Sequence, residues 1–156
     1  MTNKIKFTEK KKILWIDDDI NKPALEPDRD ELERRNCTII DMIDPDGFMK
    51  EIKNSNECIN GFPIDCFIID AMMPHGNYLS LKETKNTTRT GLVLIKKLFD
   101  SRKFQNVPVI VYSVLDEEEI MDFCSEHGIP LDRVTILNKS LKPREFADKI
   151  VEILLQ

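Results

Sequence analysis

No apolar run in this 156-residue chain approaches the ~20 residues that a membrane-spanning helix needs, so no membrane partner is expected. No secretory leader is expected either. Met1 to Lys12 is basic, but the apolar stretch that follows, Ile13 to Ile16, runs at once into Asp17-Asp18-Asp19 and cannot serve as a signal-peptide core. A cytoplasmic location is therefore expected. Excess positive charge is lacking: 23 basic residues stand against 28 acidic ones, a net charge of −5. A surface that tracks nucleic-acid phosphates needs the opposite balance, so no nucleic-acid partner is expected. Cys37, Cys58, Cys66 and Cys124 form no C-x-x-C pair, and Cys37 and Cys66 fall in or beside apolar runs, so the cysteines read as reduced and structural. His75 and His127 stand apart, without metal-ligand spacing.

What is present is the balance of an ordinary folded domain, with 33% charged and 41% apolar residues. A chain of this length buries roughly two thirds of its unfolded surface without disulfides or structural metal. One domain spanning 1–156 is expected, with its core at about 12–156. Short apolar runs alternate with helical patterns. Ile13 to Ile16, Cys37 to Ile40, Cys66 to Ile69, Val109 to Tyr112 and Val134 to Leu137 read as strands. Between them, a helix from Pro27 to about Asn36 has its charges matched to the dipole. Asp44-Pro45 caps a second helix, and Gly91 to Phe99 forms a third by its apolar spacing. Asp116 to Glu119 opens a fourth that Gly128 ends, and Pro143 opens a last one bearing Phe146, Ile150, Ile153 and Leu154 on one stripe. Such alternation, joined by right-handed crossovers, predicts an α/β fold: a flavodoxin-like, doubly wound parallel sheet of five strands in the order 2-1-3-4-5 with five helices.

In such sheets the ligand site lies outside the carboxyl ends of the strands. The strands deliver there Asp17 and Asp18, then Asp70, Ser113 and Lys139. Three converging carboxylates repel by a few kcal/mol per close pair at ~4 Å and an effective dielectric near 20, and a cation resolves this. Mg²⁺ suits a site of one or two direct carboxylates that keeps waters for phosphate oxygens, with Asp18 and Asp70 direct and Asp17 through water. A carboxylate held beside Mg²⁺ can attack phosphorus, and Asp70 is the best placed, with Lys139 and Ser113 to neutralise and position the phosphoryl oxygens. Each residue alone has an ordinary explanation as a loop or capping residue. Their joint order at four strand ends does not.

These residues resemble the receiver domain of two-component response regulators, in the stand-alone form of the chemotaxis regulator. The resemblance rests on Ile13 to Asp19, Ile68 to Pro74, Pro108 to Ser113 and Ile136 to Lys139. It implies that Asp70 accepts a phosphoryl group from a phosphohistidine on a sensor histidine kinase or phosphotransfer protein. It further implies that Asp17, Asp18, Asp70 and the Met72 carbonyl hold Mg²⁺, that Ser113 moves toward the phosphoryl oxygen and that Lys139 pairs with it. The chain would then be a phosphoacceptor with self-catalysed transfer rather than an enzyme. Since it ends with the fifth helix, its signal is expected to pass by contact to a downstream protein of unknown identity. Met72 and Leu115 flank the expected phosphoryl position, and slow dephosphorylation is expected.

Three features depart from the family pattern. Ser140 rather than proline follows Lys139, and Ile136 occupies a position often aromatic. Residues 75–90 form a long polar stretch where a short turn is usual; such connections are usually functional or disordered. If ordered, this loop is expected over Asp70 as a gate or a partner surface. Trp15 lies two residues before Asp17 on the same strand face, either as a reporter of the site or as a core aromatic insensitive to it. Two other readings stand beside the receiver: an interaction module that has kept the fold without phosphorylation, and a phosphatase of the haloacid-dehalogenase type with Asp17 as nucleophile, whose late acidic pair would have to come from Glu145, Asp148 or Glu152.

Overall fold

The computed structural model describes residues 6–54, 58–59 and 61–156; residues 1–5, the first of the expected span 1–156, lie outside that set. The elements in order are β1 (Lys11–Ile16), α1 (Glu26–Arg34), β2 (Cys37–Met42), α2 (Pro45–Asn54), β3 (Cys58–Ile59), β4 (Phe62–Pro63), β5 (Cys66–Ile69), α3 (Thr90–Asp100), β6 (Val109–Ser113), α4 (Glu117–Glu126), β7 (Val134–Asn138) and α5 (Pro143–Leu154). Five strands form one parallel sheet in the order β2-β1-β5-β6-β7. With the small antiparallel hairpin β3-β4 set aside, this is the order 2-1-3-4-5.

The inner strands β1, β5 and β6 are buried on both faces, so their residues divide by parity. Leu14, Ile16, Phe67, Ile69, Val109 and Val111 pack with Phe48 and Ile52 of α2, Leu92 to Leu98 of α3 and Ile120 and Phe123 of α4. Ile13, Trp15, Cys66, Ile68, Ile110 and Tyr112 pack with Leu32 of α1 and with Phe146, Ala147, Ile150 and Val151 of α5. Trp15 sits fully buried in an aromatic group with Tyr112 and Phe146. The Tyr112 hydroxyl donates to Asp28 of α1 at 3.1 Å, tying that layer to the sheet. All four cysteines are free, with Cys37, Cys66 and Cys124 buried. Burial pushes the Cys37 thiol up to about 11 and raises that of Cys66 too, which keeps them inert as thiols.

The helix ends follow local chemistry. A single 3₁₀ turn, Pro23–Leu25, precedes α1, so the helix opens at Glu26 with Pro27 in its first turn and Asn36 in the left-handed conformation just past its end. Asp44 accepts the Gly47 N–H at 2.9 Å at the head of α2, and Gly128 (φ 68°) follows α4. The hairpin β3-β4 escapes a reading by periodicity because each of its strands has two residues.

Candidate functional site

Parallel pairing brings the two critical strand ends level. β1 and β5 are in register with Ile16 opposite Ile69, and the Asp70 N–H donates to the Ile16 carbonyl at 3.0 Å. Asp17 and Asp70 are therefore neighbours across one ladder step. On the far side of β6, Ser113 pairs with Asn138 of β7, and the Lys139 N–H donates to the Ser113 carbonyl at 3.1 Å, launching the lysine from the same sheet edge.

Lys139 reaches back over the edge. Its ammonium donates to Asp17 Oδ2 and Asp70 Oδ2, each at 2.8 Å, joining residues from three separate strands. Asp17 is fully buried, Asp70 nearly so, and Lys139 largely covered. Each second carboxylate oxygen is also engaged: Asp17 Oδ1 accepts the Asp19 N–H at 2.9 Å and Asp70 Oδ1 accepts the Met72 N–H at 3.2 Å. Carboxylate oxygens of Asp17, Asp18 and Asp19 lie within 4.8 Å of one another. Asp19 also pairs with Lys22 at 2.7 Å on the surface.

The charge balance is uneven. Burial, then the Asp70 charge, push the Asp17 carboxyl from 3.8 up to about 6 despite the Lys139 ammonium. Burial and the Asp19 carboxylate raise Asp18, with a further contribution from Asp70. Burial works against the Lys139 ammonium, but Asp70 and Asp17 together hold it above its ordinary value. Asp17, Asp18 and Asp70 against one ammonium leave an excess of negative charge in a half-enclosed crevice, the condition a divalent cation relieves.

Of the residues singled out from sequence, Asp17, Asp70 and Lys139 meet directly, and Asp18 stands with Asp17. Ser113 is buried at the end of β6, with its hydroxyl accepting the Leu115 N–H at 3.3 Å; the ion-pair network does not include it. Met72 is exposed beside Asp70, Leu115 packs partly buried against the core, and Val114 between Ser113 and Leu115 is exposed. The turn after Lys139 is made without proline: Asn138 Oδ1 accepts the Ser140 N–H at 2.8 Å and the Asn138 carbonyl accepts the Leu141 N–H at 3.1 Å, an Asx turn. Ile136 is half-buried against the core.

Two contributors were not singled out from sequence. Gly91 brings the start of α3 onto the backbone of the Asp70 turn: its N–H donates to the Ala71 carbonyl at 2.9 Å, and a Cβ there would collide with the Asp70 carbonyl oxygen and lie 2.6 Å from its carbon. A glycine in the first turn of an otherwise apolar helix was the available signal. The second is the tethering of residues 75–90. Asp46 at the head of α2 accepts the N–H groups of Asn77 (2.8 Å) and Tyr78 (3.3 Å) and the Asn77 carboxamide (3.0 Å). Ser80 and Glu83 bond reciprocally, Leu79 and Thr84 are buried, and Lys85 and Arg89 both approach Glu119 of α4 at 3.6 Å. The Thr90 hydroxyl closes the segment on the Met73 carbonyl at 2.6 Å. The loop is thus tied down by its own hydrogen bonds and by contacts to two helices that begin at the aspartate edge.

No protein-family model and no curated relative matches the sequence. Solved structures do match. A response regulator receiver domain protein (CheY-like) from Methanospirillum hungatei JF-1 is 19% identical, with 92% of this chain and 93% of that chain covered and a TM-score of 0.63. The phosphorylated cyanobacterial phytochrome response regulator RcpA is 16% identical over 92% of this chain and 90% of that one, with a TM-score of 0.63. The Vibrio cholerae chemotaxis protein CheY4 is 18% identical over 92% and 98%, with a TM-score of 0.61. At such identities the likeness establishes architecture: the chain has the fold of response regulator receiver domains.

Proposed function

We propose that this protein is the phosphoacceptor of a two-component or phosphorelay system, taking a phosphoryl group on Asp70 and signalling through protein contacts. The observation that carries this is the Lys139 ammonium, 2.8 Å from both Asp17 and Asp70, which joins the ends of three strands at one crevice of a receiver fold. A structural ion pair needs one carboxylate; here a single cation serves two buried ones with a third alongside.

The donor set fits Mg²⁺. Asp17, Asp18 and Asp70 would hold it together with the Met72 carbonyl. Bound there, the ion offsets the carboxylate charge and polarises the phosphoryl oxygens. The chain's own residues do the rest. A carboxylate oxygen of Asp70 attacks phosphorus as the P–N bond of a phosphohistidine breaks, and the bond's electron pair leaves with the imidazole. Lys139 already donates to Asp70 and would shift to a phosphoryl oxygen as charge builds there. Ser113 would exchange its Leu115 contact for another phosphoryl oxygen. Donors would be a sensor histidine kinase or phosphotransfer protein, the recipient of the signal a further protein, and the setting the cytoplasm. Exposed Met72, with Leu115 next to Ser113, would slow the approach of water to the acyl phosphate.

The phosphatase reading has less support. It needs a late acidic pair near Asp17, but Asp148 is bound to the buried Arg35 at 2.7 Å on the α1–α5 side and Glu152 lies near Lys149. Treatment with acetyl phosphate, with and without Mg²⁺, followed by intact-mass measurement tests the proposal. One added phosphoryl group is expected on the wild type only with Mg²⁺, and none on Asp70→Asn. Labelling that persists in Asp70→Asn and vanishes in Asp17→Asn would favour the phosphatase; no labelling of the wild type would favour a non-phosphorylated interaction module.

A further inference from the structure

At the sheet edge opposite the aspartates, the turn between α3 and β6 and the turn leading into β7 enclose a cavity of about 240 Å³. Its polar lining is Arg102, Lys103, Arg133, Gln105 and Asn106, with Phe99 in its wall; among the described residues no carboxylate lines it. Asp132 belongs to an adjoining depression that shares Gln105, Asn106 and Arg133. In a chain of net charge −5, three cationic residues lining one hollow reverse the prevailing sign locally, which favours an anion there.

The three cations are held in different ways. Lys103 donates to the Ile52 and Lys53 carbonyls at 2.6 and 3.3 Å, which fixes its ammonium at the end of α2. Arg133 lies 4.5 Å over the Phe99 ring and donates one N–H to the Phe104 carbonyl at 3.3 Å; stacking orients its fork and leaves its other donors available. Arg102 is exposed; its backbone N–H donates to the Phe99 carbonyl at 3.2 Å, and its side chain makes no hydrogen bond or ion pair among the described residues. The turn that presents them is itself unusual. Arg102 (φ 57°) and Phe104 (φ 56°) are both left-handed, which bulky side chains resist, and Phe104 pins the turn by inserting its ring edge-on to Phe67 at 5.2 Å.

We propose that this cavity is a binding site for a small phosphate-bearing anion, separate from the aspartate cluster. Two guanidinium groups match phosphate oxygens in bidentate fashion, and two carboxamides add neutral donors. The volume is below that of typical drug-sized pockets, roughly 300 Å³ and upward, and so suits a compact group with one or two phosphoryl units.

Isothermal titration of the full chain with pyrophosphate, in EDTA and on the Asp70→Asn background, tests this without any contribution from the phosphoacceptor. Saturable single-site binding is expected, weakened by added salt and weakened about tenfold or more, ~1.4 kcal/mol, by Arg102→Glu. Because the Arg102 side chain holds nothing in the fold, that variant should keep the parent's circular dichroism and melting curve. Absence of saturable binding, unchanged affinity in Arg102→Glu, or citrate binding as tightly as pyrophosphate would overturn the proposal.

Discussion

Asp17 and Lys139 face each other at 2.8 Å, yet neutralising them should have opposite effects. Burial and Asp70 push Asp17 up to about 6, so the fold holds its proton more tightly than the unfolded chain does. Its ionisation therefore costs stability as pH rises from about 4 through about 6, and at pH 7 the full cost is present. In Mg²⁺-free buffer, Asp17→Asn should raise the urea midpoint at pH 7 by an amount worth about 1–3 kcal/mol and flatten the stability profile between pH 4 and 7. Asparagine can still accept the Asp19 N–H, so the local turn survives. Lys139→Met leaves two buried carboxylates without their shared cation and should cost about 3–5 kcal/mol. Equal losses in both variants would show that the network is ordinary structural pairing. These residues were legible in sequence because polar groups that end apolar strands must emerge at the sheet edge. Which contacts they make was not, since the reach of Lys139 to Asp17 and Asp70, but not to Ser113, depends on side-chain geometry that strand order leaves open.

At the scale of elements, legibility tracked length and periodicity. The strands and helices that bury a two-residue or 3.6-residue pattern were all placed in sequence to within a few residues. The two-residue strands of β3-β4 carry no period to detect, and α1 began one residue early because the 3₁₀ turn at Pro23–Leu25 feeds into it. The seat of α3 was invisible for a different reason: what Gly91 contributes is the absence of a side chain where two backbones meet. Gly91→Ala places a methyl group against the Asp70 carbonyl, and neither backbone can yield cheaply. A destabilisation of about 3 kcal/mol is expected, and the displaced Asp70 turn should slow labelling by acetyl phosphate more than it slows folding. Urea titration and single-turnover labelling of the same variant separate the two; a stable variant with parental labelling would show that α3 can move without disturbing the site.

For the molecule as a whole, the parallel sheet places two opposite charge fields at opposite edges, the acidic crevice at the strands' carboxyl ends and the cationic hollow at the other. The 75–90 segment belongs to the first. Its length and polarity were evident from sequence, but whether it is ordered was not, because the residues that anchor it to the rest of the fold, Asp46 and Glu119, lie outside it and on different helices. It leaves the Asp70 turn, crosses to the head of α2, and returns to the first turn of α4 before α3 begins. A strap fixed at both ends beside the proposed phosphoacceptor Asp70 couples the site's surroundings to two helices, and loosening one anchor should show whether it also governs access. Asp46→Ala removes an acceptor from three donors on Asn77 and Tyr78. At about 1–1.5 kcal/mol for these exposed bonds together, amide exchange across 76–90 should rise about tenfold while exchange in β5 stays as in the parent. If the loop gates Asp70, labelling by acetyl phosphate should accelerate in step with that exchange. Faster exchange with an unchanged labelling rate would remove the gate and leave the segment as a surface for protein contact.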